Sequence, residues 1–414
     1  MDAEPFGLLS PYRVLDLADE KGVFCGKLLG DLGADVIKVE KPGGDSLRSQ
    51  GPFYQDEPNP ERSLFWFAFN TNKRGITLDI ETADGQEIFK RLVKTADFVV
   101  ESSPPGHMGS LGLGYDELEK VNPRAIVVSI TPFGQTGPYS SYKDPGLVTW
   151  AMCGFMNSRG DADRAPVQIS HHAQTFAAAG IEGAVGAMLA LHDRWETGEG
   201  QHVDVSAHEA GARGSPPFGW VMAGMRGRQE MRPGGAGLKT RFLWPCKDGF
   251  VMWFYMAGSQ GNLRSAPLVK WMEEEGVADE YLKGIDWDTL NLAKAGQGAV
   301  DLMEEPTARF FEARTKAELF EGAVKRRLLL YPVSTARDIV ESPQLAARGF
   351  WTEVEHPELG ATLTYPGPFA NVIGAPLRIA RRAPLPGEHN REIYEQELGM
   401  SRQELLSLGQ AGVI

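Results

Sequence analysis

Residues 12–40 read YRVLDLADEKGVFCGKLLGDLGADVIKVE, and this stretch decides the fold. Residues 12–17 are predicted to form a short strand, and residues 22–32 carry apolar side chains at helical spacing. Gly33 and Ala34 close the turn, and residues 35–40 have the apolar run of a buried strand with a charged edge. This strand–helix–strand unit predicts a parallel sheet covered by helices.

The same unit repeats along the chain. Strands are predicted at residues 75–79, 97–101 and 125–130, with helices at 83–95 and 115–121 between them. A long helix rich in Ala and Gly is expected at residues 174–194, where small side chains let another backbone approach closely. A strand at 202–205 follows the turn at 198–201.

The composition changes after this point. Residues 211–240 are rich in Gly, Pro and Arg, which is typical of a linker or mobile loop. A hairpin is predicted from 241–246 and 249–254, helices continue to about residue 328, and loops with many Pro and Gly follow residues 331–333. A short helix is expected near 401–406.

The charge and cysteine content exclude several classes of protein. The chain has 414 residues, which suits two domains, and a net charge of -13 disfavours nucleic acid and anionic membranes as partners. The three cysteines are far apart, so neither a zinc site nor a disulfide framework is expected. The first residues lack a basic segment with an apolar core, and no run of about 18 apolar residues appears, so a cytoplasmic location is predicted.

Six groups of motifs occur in order along the chain. They are residues 30–45 (GDLGADVIKVEKPGGD), 72–79 (NKRGITLD), 105–106 with 111–115 (PG and LGLGY), 122–139 (NPRAIVVSITPFGQTGPY), 197–205 (TGEGQHVDV), and a C-terminal set at 343–350, 384–389 and 412–414. Each motif alone is weak, but together the order resembles family III CoA-transferases over nearly the whole chain.

The resemblance implies an α/β fold with a large Rossmann-like parallel-sheet domain formed by both chain ends. A smaller α+β domain is inserted, and two chains interlock as a dimer. The corresponding boundaries are 1–210 for the first part of the large domain, 211–240 for the linker, 241–332 for the small domain and 333–414 for the return. Coenzyme A or acyl-CoA is then the substrate, and no permanently bound cofactor or metal is expected.

The residue that carries the chemistry in this family is missing. Moving CoA between acids requires a carboxylate that carries the acyl group, and in the family this is an Asp at the start of the long helix. The matching position here is Thr175 or Phe176, within the sequence SHHAQTF at residues 170–176. The nearest acids are Glu182, Asp161 and Asp163, and none is placed to take over, so no catalytic residue is predicted in this chain.

Other uses of this segment stay open. Thr175 as an oxygen nucleophile needs a base, and His171 lies one turn earlier; Thr175 or Ser170 as a helix cap is the plainer interpretation. His171 and His172 are adjacent and point apart, which disfavours a metal site. The histidine used by racemases of the family is absent from the matching residues 142–146.

The expected CoA site is only partly retained. Candidate phosphate ligands are Lys41, Lys73, Arg74 and Lys143. The Asn-Phe pair that packs on the nucleotide in the family is replaced by Ser102 and Ser103, and a family Arg by Ser110, each of which weakens CoA binding. Gly234, Gly235 and Gly237 resemble a glycine-rich loop that covers the site, or belong to a flexible linker.

Three functions fit these observations. The first is a non-catalytic subunit of a heteromeric CoA-transferase, paired with a related chain that carries the Asp and moving CoA, for example, from succinyl-CoA to an aromatic succinate. The second is a homodimeric transferase with an atypical nucleophile. The third is an acyl-CoA-binding protein without turnover.

Overall fold

The computed structural model describes residues 7–161, 163–168, 174–214, 224–225, 227 and 238–414. The chain divides into two compact units. The first takes Met1–Met156, Gln168–Met225 and Ala346–Ile414, and the second takes Asn157–Val167 and Arg226–Leu345. The domain boundaries expected from the sequence remain a prediction.

The first unit is built on a six-stranded parallel sheet in the order β3-β2-β1-β4-β5-β6. This order reverses direction at β1 and β4, as in Rossmann folds. The predicted Rossmann-like parallel sheet is therefore confirmed, while the interlocked dimer stays a prediction. The strands are β1 Arg13–Asp16, β2 Asp35–Glu40, β3 Lys73–Thr77, β4 Phe98–Glu101, β5 Ile126–Thr131 and β6 His202–Ser206.

Eight helices of the described chain precede or follow these strands in the first unit. They are α1 Val23–Asp31, α2 Leu64–Asn70, α3 Ala83–Val93, α4 His107–Ser110, α5 Tyr115–Val121, α6 Leu147–Met152, α7 Gln174–Thr197 and α8 Ala207–Gly214. Side-chain hydroxyls cap the N-termini of two of these helices. The Ser63 hydroxyl accepts a hydrogen bond from Trp66 N at the start of α2, and the Thr82 hydroxyl accepts one from Gly85 N at the start of α3.

The helix α7 packs closely on the sheet. A Cβ at Gly180 would lie 2.9 Å from Phe24 Cβ and 3.1 Å from the Cys25 nitrogen, so the small residue permits this approach to α1. By length and composition alone α7 is apolar enough to span a membrane, which the sequence analysis did not anticipate. Its face of Ala179, Ala187 and Leu191 is part of the core on this side of the sheet, so it is a packing helix of the fold.

The C-terminal part of the chain covers the edge strand β3. His389 N donates to Gly75 O at 2.9 Å, and Gly75 N donates to His389 Nδ1 at 3.1 Å. Thr77 N donates to Asn390 Oδ1 at 2.9 Å, and the Tyr394 hydroxyl donates to Thr77 O at 2.7 Å. Residues 389–394, which begin with the last residue of the motif PLPGEH, thus protect an edge that would otherwise expose unpaired backbone groups.

The second unit has its own core around an antiparallel sheet in the order β7-β8-β9. Trp244, Trp253, Phe310 and Phe311 are buried at its centre. The predicted hairpin is present with shorter strands. The elements after α8 are β7 Leu243–Cys246, β8 Gly249–Met252, α9 Ser259–Arg264, α10 Ala266–Glu274, α11 Glu280–Lys283, α12 Leu292–Ala295, α13 Gln297–Glu312, α14 Lys316–Arg326, β9 Tyr331–Pro332, α15 Ala336–Val340 and α16 Pro343–Ala347.

The return to the first unit adds a hairpin and two helical segments. The strands β10 and β11 pair antiparallel with Trp351 opposite Pro366 and His356 opposite Ala361. Neither strand was predicted. The bounds are β10 Trp351–His356, β11 Ala361–Pro366, a π-helix at Arg391–Glu397 and α17 Arg402–Gln410, which Ser401 caps.

Candidate functional site

The start of α7 offers no reactive oxygen at the expected nucleophile position. Thr175 is fully buried, and its Oγ1 lies 2.9 Å from Thr149 Oγ1 on α6. Phe176 is buried in the core between α7 and the sheet. The hydroxyl of Thr175 therefore holds two helices together, and a substrate carbonyl cannot reach it in this arrangement. Ser170, His171 and His172 lie outside the described residues.

Two of the three neighbouring acids, Glu182 and Asp161, are engaged elsewhere. Glu182, farther along α7, pairs with Arg213 at 3.2 Å. Asp161 is largely exposed in the second unit and pairs with Arg164 at 3.8 Å. Neither contact places a carboxylate at the start of α7.

Lys73 is internal, which argues against its predicted contact with a CoA phosphate. The strand was predicted to start at Gly75, after Lys73, but Lys73 begins β3 and is fully buried. Its Nζ donates to Asp16 Oδ2 at 2.7 Å, Asn70 Oδ1 at 3.0 Å and Val23 O at 3.4 Å. All three donors of the ammonium are used within the fold. Burial lowers the pKa of Lys73, and Asp16 opposes this shift.

Arg74 is also occupied by the protein itself. Its guanidinium donates to Asp35 at 2.9 and 2.6 Å, to Glu392 at 2.6 Å, and to Glu397. Burial alone would lower the pKa of Arg74, but Asp35 and Glu397 more than offset it and raise the pKa. The arginine ties the π-helix to the sheet edge, and this geometry argues against a free phosphate ligand.

A cavity of about 320 Å³ opens at the carboxyl ends of β1, β2, β3 and β4. In open α/β sheets ligands bind at this edge where the strand order reverses. Lys41 lies in its wall, together with Ser102 and Ser103, so the structure brings these three predicted positions together. The wall is formed by Leu17, Asp19, Val39, Glu40, Lys41, Leu78, Ile80, Glu81, Ser102, Ser103, Pro104 and His107.

The polar groups of this cavity are paired with carboxylates. Lys41 Nζ lies 3.5 Å from Glu81 Oε1, and His107 Nε2 lies 3.2 Å from the same oxygen. Ser102 Oγ donates to Asp19 Oδ1 at 2.6 Å. Asp19, Glu81 and His107 were not predicted from the sequence; Asp19 and Glu81 each lie two residues after a predicted strand, which is the signal that could have identified them.

The remaining predicted residues lie apart from the cavity or cannot be placed. Lys143 is exposed before α6 and does not line the cavity. Ser110 ends α4, and its Oγ donates to His107 O at 2.7 Å. Gly234, Gly235 and Gly237 lie outside the described residues.

A second polar cluster fixes the end of β4 beside the cavity. Glu101 is buried, and burial raises its pKa against the opposing hydrogen bonds from Ser129 and Ser103. Ser103 N donates to Glu101 Oε2 at 2.7 Å. Ser129 Oγ lies 2.9 Å from His202 Nε2. These bonds hold the turn that carries Ser102 and Ser103.

Comparisons with known proteins support the family resemblance and the fold. The model of CoA-transferase family III matches residues 9–390. The chain is 36% identical over 410 residues to succinyl-CoA:(R)-benzylsuccinate CoA-transferase subunit BbsE of Thauera aromatica, and 29% identical over 418 residues to the succinyl-CoA–L-malate CoA-transferase beta subunit of Chloroflexus aurantiacus, covering 98% of both chains in each case. A CAIB/BAIF family protein of Brucella suis has a TM-score of 0.79 at 26% identity, over 94% of this chain and 99% of that one.

Proposed function

The chain belongs to CoA-transferase family III, and from this premise we propose that it is the non-catalytic subunit of a heteromeric CoA-transferase. Its partner is a related chain that carries the catalytic Asp. The observation that carries the proposal is the start of α7, where Gln174, Thr175 and Phe176 provide no carboxylate and Thr175 is bonded to Thr149.

The chemistry explains why this substitution is decisive. A carboxylate attacks the thioester carbonyl, the CoA thiolate leaves, and a mixed anhydride forms between enzyme and acid. A buried threonine hydroxyl is a weak nucleophile without a base. The partner therefore supplies the nucleophile, while this chain retains the scaffold around it.

Two relatives support a heteromeric assembly, because their names describe subunits of CoA-transferases. By analogy with the benzylsuccinate enzyme, we propose that the donor is succinyl-CoA and the acceptor an aromatic succinate. The chain acts in the cytoplasm and needs no resident cofactor.

Co-expression tests the proposal. The chain is produced alone and together with an Asp-bearing family III chain, and each preparation is assayed with succinyl-CoA and benzylsuccinate. We expect turnover only from the mixture, and native mass spectrometry should detect a heteromer. Turnover by the isolated chain would favour the homodimeric alternative, and homodimers alone in the mixture would argue against a partner.

A further inference from the structure

We propose that Glu81 is a specificity-determining residue that keeps the phosphates of CoA out of the cavity at the sheet edge. This inference rests on the proposed function, in which the chain's own CoA site is degenerate. Glu81 is a carboxylate that this chain has, whereas the family's Asn-Phe pair and Arg are side chains that it lacks.

Glu81 lies in the cavity wall beside Lys41 and His107. Its Oε1 lies 3.5 Å from Lys41 Nζ and 3.2 Å from His107 Nε2, so one oxygen is close to two nitrogen atoms of the cavity wall. A phosphate entering the cavity must displace this carboxylate or approach it closely. Like charges at such a distance repel, and the negative charge of Glu81 offsets part of the attraction that Lys41 would exert on a phosphate.

The other carboxylates of the wall have their own partners. Glu40 is bound by Arg48 at 2.6 and 2.7 Å, and both side chains are buried. Asp19 pairs with Lys21 and accepts the hydroxyl of Ser102. Among the described residues that line the cavity, Glu81 is the acid whose partners are Lys41 and His107.

The expected effect of Glu81 on the affinity for CoA is modest, because Glu81 and Lys41 are exposed to solvent. Lys41 is 64% and Glu81 39% exposed, and solvent and salt weaken the interactions of exposed charges. Replacing Glu81 by Gln therefore tightens CoA binding by about five-fold in low salt, and the gain shrinks as salt is added.

Binding of CoA to the purified chain tests the inference by equilibrium dialysis at low ionic strength. Glu81→Gln should lower the dissociation constant about five-fold. The matched control is Glu87→Gln, because Glu87 pairs with Lys90 at 3.0 Å on α3 and does not line the cavity. Lys41→Gln leaves the Glu81 carboxylate in place, so it should weaken CoA binding relative to the wild type, and Glu81→Gln should still tighten binding in the Lys41→Gln background, because the repulsion does not depend on the lysine.

Pantetheine has no phosphate, so its affinity shows whether the effect of Glu81 depends on the charge of the ligand or on the shape of the cavity. Its affinity should be the same for the wild type and Glu81→Gln. An equal effect of both Glu variants, an equal gain for pantetheine, or no detectable CoA binding by Glu81→Gln would overturn the inference. The proposed function would survive any of these results, because it is decided by the turnover of the co-expressed chains.

Discussion

Replacing Lys73 by Met tests whether this lysine is structural or binds substrate. Lys73 and Asp16 are both fully buried, and their 2.7 Å ion pair joins β3 to β1. The substitution leaves the Asp16 carboxylate buried without the cation that donates a hydrogen bond to it. Removing one partner of such a pair typically costs about 3–5 kcal/mol, so we expect a loss of that size in the free energy of unfolding of the first unit.

The double variant Asp16→Asn/Lys73→Met is the matched control. It removes both charges, so it should recover most of the loss, and the coupling between the two sites should exceed about 2 kcal/mol. Hydrogen exchange of peptides from β1 and β3 across a urea series measures both values. A loss below about 1 kcal/mol, or additive effects, would refute the structural role. A folded Lys73→Met chain that binds CoA about ten-fold more weakly would restore the lysine as a phosphate ligand.

Three further predictions concern other contacts. Burial holds the pKa of His389 below its ordinary value of 6.5, so the unfolded chain takes up a proton first as pH falls. The contribution of His389 to stability is therefore fully present above pH 6.5 and is lost as pH falls from 6.5 through the lower pKa of the folded state. His389→Asn, whose Oδ1 can still accept from Gly75 N, should flatten thermal-melt profiles between pH 7.5 and 5, and an unchanged slope would argue against this. Gly180→Val should destabilise the chain by about 1–3 kcal/mol in urea unfolding, because the added atoms meet α1, and a neutral result would contradict the close packing. Thr175→Val should cost about 1 kcal/mol yet leave the turnover of the heteromer within about two-fold, whereas a large loss of turnover would identify the hydroxyl as catalytic.

The fold was predictable in segments where the spacing of apolar residues within the segment itself specifies a strand or a helix. The strand at residues 35–40 and the helix at 115–121 have the predicted bounds, because their periodicity and flanking glycines specify them. The strands of residues 351–366 were missed, although residues 361–366 alternate with the period of a strand, since much of that hairpin is exposed.

The site was less predictable, because charge pairing depends on tertiary structure. Lys73 and Arg74 look like surface cations in sequence, but their carboxylate partners lie up to 323 residues away. Glu81 and His107 meet only when the ends of two strands come together. By contrast, the absence of an acid at Thr175 and Phe176 is a property of the sequence itself.

The most direct test of the account uses the heteromer with the partner's catalytic Asp replaced by Ala. This variant should assemble normally, which native mass spectrometry verifies, and should show no transfer from succinyl-CoA to benzylsuccinate above the uncatalysed rate. The unmodified heteromer serves as the positive control. Transfer that persists without the partner's Asp would show that this chain supplies a nucleophile of its own and would contradict the account.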